Sequence, residues 1–172
     1  MYPRWSVIAA AFLMSTLGPM ARAGTPVTAH AVVTGSAQSP LAGTWSLDTS
    51  RMAMPPGQRP KSVTFSFADK SDGTWAIHVD ILYATGEQVH SDSRVSPDGT
   101  YAPVTNSPEA DQVALSHPVP GVLVMALRKG DILVSTRVYA VTSDRNHLVE
   151  TAVYPGSDNQ QVMRTNYFER SH

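Results

Sequence analysis

The chain has 172 residues, 42% of them hydrophobic and 16% charged, with a formal net charge of −1. That length fits one domain, and so weak a charge with no basic stripe lacks the electrostatic footprint of a nucleic-acid partner. It contains no cysteine, which excludes disulfides, thiolate nucleophiles, zinc–thiolate and iron–sulfur sites, and a lipid anchor on a lipobox cysteine.

The first elements read as an address. Arg4 supplies a positive start, Ser6 to Leu17 is an uncharged apolar run, and Gly18-Pro19 breaks it. Ala21-Arg22-Ala23 places small residues where a signal peptidase needs them, so residues 1–23 are expected to be a signal peptide cut after Ala23. The apolar run is shorter than the roughly 20 residues a bilayer span needs. No membrane span is therefore expected after cleavage, and the expected destination is the periplasm or the medium. Residues 24–40, rich in Thr, Ser, Ala, Gly and Pro, read as a flexible leader.

From Leu41 onward the pattern is that of strands and turns. Thr44 to Leu47 is a short strand, and the proline-rich stretch Met52 to Pro60 is a loop. Val63, Phe65 and Phe67 alternate with polar residues, as do Trp75, Ile77, Val79, Ile81 and Tyr83 after the turn at Asp72-Gly73. Further strands are expected at Val89–Val95, Thr100–Val104, Gln112–Ser116, Val122–Leu127, Ile132–Val141, Leu148–Tyr154 and Val162–Phe168, with Lys129-Gly130-Asp131 as a compact hairpin loop. Residues 41–172 thus predict an all-β domain: an antiparallel up-and-down β-barrel of about 8–10 strands. Closing the sheet removes both of its edges; a two-sheet sandwich is the other way to manage them.

Gly43-Thr44-Trp45 at the first strand is similar to the G-x-W signature of lipocalins and fatty-acid-binding proteins, the calycins. GTWSLD, PKSVTFSF, PDGTYAPVTNSPEADQVAL and the closing NYFER together resemble a group of small exported bacterial proteins described as lipocalin-like or of unknown function. The resemblance spans roughly residues 41–170. It implies that Trp45 packs across a closed barrel end near a basic residue of a late strand, with Gly43 beside it and Arg164 or Arg170 as the partner. Fatty-acid-binding proteins grip a carboxylate with an R-x-Y pair on the last strand. Here Arg164-x-x-Tyr167 puts the two side chains on opposite faces, so that grip is not carried over.

The hairpin from Trp75 to Val95 has a self-consistent register. Pairing Tyr83 with Glu87 sets His78 opposite Asp92 and Asp80 opposite His90, all on the face away from Trp75, Ile77, Val79 and Ile81. Two imidazoles and two carboxylates suit zinc or nickel. Cross-strand charge pairs in water, beside Arg94 and Gln88, account for them equally, and no metal site is assigned. Asp98, Glu109 and Asp111 lie close to loops and can be read as an acid/base pair, although turn chemistry explains Asp98 and Asp111. His117, just before Pro118, is expected in an exposed loop. Met52 and Met54 border the proline-rich loop, where they suit a barrel mouth, soft copper or simple gap-filling. No G-x-S-x-G elbow, H-E-x-x-H helix or phosphate-binding glycine loop is present. The expectation is a protein that is not an enzyme and carries no cofactor.

Two functions compete. In the first, the domain is an exported monomer that binds a small hydrophobic ligand within the barrel, against Phe65, Phe67, Trp75, Ile77, Val79 and Tyr139. In the second, a solid barrel serves as an envelope interaction or inhibitor domain, meeting an exported protein partner through the loops Met52–Pro60 and Asn106–Ala110.

Overall fold

A computed structural model describes residues 38–157 and 160–171. The predicted signal peptide and most of the predicted leader lie outside the described residues. The described residues form ten strands: β1 (Gly43–Leu47), β2 (Ser62–Asp69), β3 (Trp75–Leu82), β4 (Gln88–Val95), β5 (Ala102–Thr105), β6 (Gln112–Val119), β7 (Val122–Lys129), β8 (Ile132–Val141), β9 (His147–Pro155) and β10 (Gln161–Ser171). Each pairs antiparallel with the next, and β1 pairs with both β2 and β10, so the sheet closes on itself. The fold is a closed, ten-stranded, antiparallel up-and-down barrel. None of the described helices is long and apolar enough to cross a membrane.

Alternation builds the wall. In β2 the buried Val63, Phe65 and Phe67 point inward, and the hydroxyl residues Thr64 and Ser66 between them do not. In β3 and β4 the pairs Ile77↔Ser93, Val79↔Ser91 and Ile81↔Val89 share the inner face. The proline-rich connection after β1 contains two short 3-10 turns, Thr49–Arg51 and Pro56–Gln58. Arg59 ties them together, its Nε donating to the Met54 carbonyl at 2.9 Å and its Nη1 to the Ser50 carbonyl at 2.6 Å.

One end of the barrel is closed by Trp45. Its indole is fully buried, and Nε1 donates to the Leu41 carbonyl at 2.9 Å. The Arg170 guanidinium lies 4.1 Å from the ring centroid, a cation–π contact strengthened by the loss of water around it. Arg170 also donates to three backbone carbonyls, those of Pro40 (2.6 Å), Ala42 (2.9 Å) and Arg145 (2.8 Å). Of the two arginines open in the sequence, it is Arg170 that covers Trp45; Arg164 sits 5.4 Å from the Tyr154 ring instead. Gly43 has no substitute here. Its φ is +133°, and a Cβ at this position would stand 2.4 Å from Arg170 Nη1.

His117 differs from its expected place in a loop. Strand β6 continues past Pro118 to Val119 through a register shift between Ser116 and Val119. The irregularity accommodates a residue with no N–H to give to the ladder. It turns the imidazole onto the fully enclosed Trp75, 5.1 Å between ring centroids.

Trp45→Ala is expected to lower the unfolding free energy by about 3–5 kcal/mol, the usual cost of deleting a buried aromatic. Arg170→Lys should cost about 1.5–3 kcal/mol, because one ammonium cannot span three carbonyls and cover the ring as well. Urea titrations followed by intrinsic fluorescence and far-UV circular dichroism measure both.

Candidate functional site

The barrel interior is filled unevenly. Beside Trp45 it is solid, with Phe67, Trp75, Leu115 and Leu123 at most 2% exposed. Towards the other end, where the β1–β2, β3–β4 and β5–β6 connections lie, a cavity of about 210 Å³ remains. Met52, Tyr83 and Pro108 from these three connections frame its mouth.

The walls are apolar. Val63 and Phe65 of β2, Ile77, Val79 and Ile81 of β3, and Phe168 of β10 supply much of the lining. Phe65 packs edge-on against Phe168, with centroids 5.4 Å apart, and against Tyr139 at 5.7 Å. Opposite them, β4 offers Ser91 and Ser93, whose small side chains leave the space open.

Across the cavity stands a polar cluster built on β8, β9 and β10. Arg137 and Tyr139 are two residues apart on β8 and therefore share its inner face. Register sets Glu150 of β9 directly opposite Tyr139, and Asn166 of β10 directly opposite Glu150. The Glu150 carboxylate is 3% exposed and collects three donors. Tyr139 Oη reaches Oε1 at 2.7 Å, Arg137 Nη1 reaches Oε1 at 3.3 Å, and Asn166 Nδ2 reaches Oε2 at 2.6 Å. Arg137 also bonds Ser135 through Nε at 3.3 Å and ion-pairs through Nη2 with Glu109 of the β5–β6 loop.

The electrostatics follow from burial. Desolvation opposes the charge on Arg137, but the oxygens of Tyr139, Glu150 and Glu109 around it outweigh that cost and hold its pKa well above the usual guanidinium value. Burial, reinforced by the neighbouring Glu150 carboxylate, drives the Tyr139 hydroxyl well above the ordinary phenol range. Tyr139 therefore stays a neutral donor and Arg137 a permanent cation. Two carboxylates meet one guanidinium, in a setting where every ionic group has a partner.

The predicted interior residues divide between the two halves. Phe65, Ile77, Val79 and Tyr139 line the cavity. Phe67 and Trp75 belong to the solid half and do not. Arg137, Glu150, Asn166 and Glu109 were not anticipated from the sequence as interior groups. The available signal was the alternation Ser135-Arg137-Tyr139, since an inward Tyr139 carries Arg137 inward with it. The three loop acids do not converge. Asp98 accepts from the Thr100 amide in its turn, at 2.8 Å, and Asp111 accepts from the Gly130 amide at 2.9 Å. Only Glu109 turns into the cavity. The two loops named for contact with a protein partner contribute Met52 and Ser107–Ala110 to the cavity lining.

No protein-family model matches this chain, and no curated protein matches it significantly. Among solved structures, the chain is similar to the zebrafish ileal bile acid-binding protein complexed with cholic acid. That protein is 13% identical, and the alignment covers 77% of this chain and 100% of that one with a TM-score of 0.46.

Proposed function

We propose that this is an exported binding protein that holds one small, mostly apolar molecule with a polar end inside its barrel. The observation that carries the reading is the cavity of about 210 Å³, apolar on one side and lined on the other by the buried Arg137–Glu150 cluster. Apolar surface gives affinity without direction, whereas a few fixed polar groups set orientation. The volume lies below the roughly 300–1,000 Å³ of sites for drug-sized ligands, so the occupant is small. Its polar end is a hydroxyl, amide or amine. A free carboxylate would meet Glu109 and Glu150 with only Arg137 between them, and like charges in a desolvated site repel strongly. Ring-stacking against Phe65 and Phe168 suits a flat or cyclic body.

Native mass spectrometry of the protein isolated gently from its own cells tests the reading. The expected result is a stoichiometric extra mass that leaves on denaturation and is recovered in solvent extract. Ser91→Phe, which places a ring in the cavity, should abolish that mass while leaving the far-UV spectrum unchanged. A clean apo mass, persisting after incubation with an extract of the same cells, would sink the idea. So would equal capture by the Ser91→Phe protein.

The polar cluster makes its own prediction. Arg137→Met leaves Glu150 buried without its cation and should cost about 3–5 kcal/mol of stability. Combined with Glu150→Leu, the loss should be well short of the sum of the two single changes, because the second substitution removes the orphaned charge. A double-mutant cycle in urea measures the difference.

A further inference from the structure

The outer face of the β3–β4 hairpin carries chemistry that the cavity does not use. Register places His78 opposite Asp92 and Asp80 opposite His90. Side chains on the flanking strands are short and uncharged: Ser66 and Thr64 of β2 lie beside His78 and Asp80, and Thr105 of β5 lies beside Asp92. Arg94, further along β4, is engaged by Asp72 and by Thr74 Oγ1 at 3.0 Å. No cation of the neighbouring strands therefore neutralises the two carboxylates.

His78 is held between both of them. Its Nδ1 lies 2.7 Å from Asp92 Oδ1 and its Nε2 lies 3.0 Å from Asp80 Oδ2. A neutral imidazole has one N–H. With that proton given to Asp92, the Nε2 lone pair faces a carboxylate oxygen, an arrangement that only a positive charge at that edge relieves. His90 closes the group from the other side, its Nδ1 2.5 Å from Asp80 Oδ1, with the two imidazoles stacked 6.5 Å apart. One donor atom from each of His78, Asp80 and His90 lies within 4.8 Å of the other two. Donors bound to zinc at about 2.0–2.1 Å in tetrahedral geometry stand roughly 3.3 Å apart, close to the His78–Asp80 separation.

We propose that this face binds one divalent transition-metal ion of the zinc class, through His78 Nε2, the Asp80 carboxylate and His90, with solvent completing the coordination. Asp92 holds the His78 ring by its Nδ1–H, the carboxylate–histidine–metal relationship that fixes tautomer and orientation. Two carboxylates against a dication leave the loaded site neutral. The nitrogen and oxygen donor set suits zinc, nickel or copper rather than calcium or magnesium. The four side chains are 39–62% exposed, so the ion exchanges with solvent. Metal binding needs neutral imidazoles, so protons compete with the metal and binding weakens as pH falls.

Isothermal titration of the untagged full chain with zinc sulfate tests the site. The expected result is one equivalent bound at about pH 7.5, with proton release, and little uptake at about pH 5.5. His78→Gln and His90→Gln should each abolish the uptake. Asp92→Asn should weaken it about 10–100-fold. His147→Gln, which alters a separate exposed His–Asp pair, should leave it unchanged. Circular dichroism checks that each variant is folded, which the exposure of these side chains favours. Affinity weaker than roughly millimolar, or undiminished uptake in a folded His78→Gln/His90→Gln protein, would overturn the proposal. A His78 ring that stays protonated at the higher pH in excess zinc, read by NMR, would assign the position to a proton alone and overturn it equally.

Discussion

The Trp45 indole, fixed to the Leu41 carbonyl and covered by Arg170, closes one end of the ten-stranded barrel. Eight strands give an interior just wide enough for side chains, and each added strand widens it. Ten strands leave more room, and at the closed end large aromatic side chains of the wall fill it: Trp45 of β1 and Trp75 of β3, with Phe67 of β2. These residues occupy the closed half, and the remaining half, lined by valines, isoleucines and two serines of β4, stays open. The position of the cavity is thus set from the opposite end of the barrel. The polar cluster follows the same logic. Arg137, Glu150 and Asn166 need one another's hydrogen bonds more than they need apolar neighbours, so packing against them stops short.

Strand β3 shows how period-2 geometry lets one segment carry two unrelated chemistries. Ile77, Val79 and Ile81 face the cavity, while His78 and Asp80, interleaved with them, face water. The backbone keeps the two environments apart by the thickness of a sheet. Neither set constrains the composition of the other, provided the register holds, and the glycine turn at Gly86 with the hydrogen bond from the Tyr83 amide to the Glu87 carbonyl at 2.9 Å anchors that register.

Much of the barrel was legible because its strongest signals are local. Alternation in β2 and β3, with Asp72-Gly73 between them, settles face and pairing without reference to the rest of the chain. The register of His78 with Asp92 follows from the same parity. What stayed hidden depends on long-range pairing. Arg137 is charged and on a strand, and the rule that charges face water sends it outward. Only the juxtaposition with Glu150 on the next strand, together with Glu109 from a distant loop, makes an inward guanidinium stable. The choice of Arg170 over Arg164 likewise turns on which side chain reaches the closed end, a matter of barrel stagger. The strand expected over Gln112–Ser116 runs on to Val119, because a register shift absorbs Pro118.

The seam between β1 and β10 pairs Thr44 with Ser171, and the Arg170–Pro40 hydrogen bond spans 130 positions of sequence. Barrel closure is thus among the longest-range events in the chain. Loops that long must lose their entropy before the contacts that reward it can form. A chain still being made keeps β1 and β9 as open edges until β10 is available, because β1 has no second neighbour before then. The interval before closure is when such edges are free to pair with another copy. Speed of assembly, rather than final stability, is the property most exposed to change in the last strand.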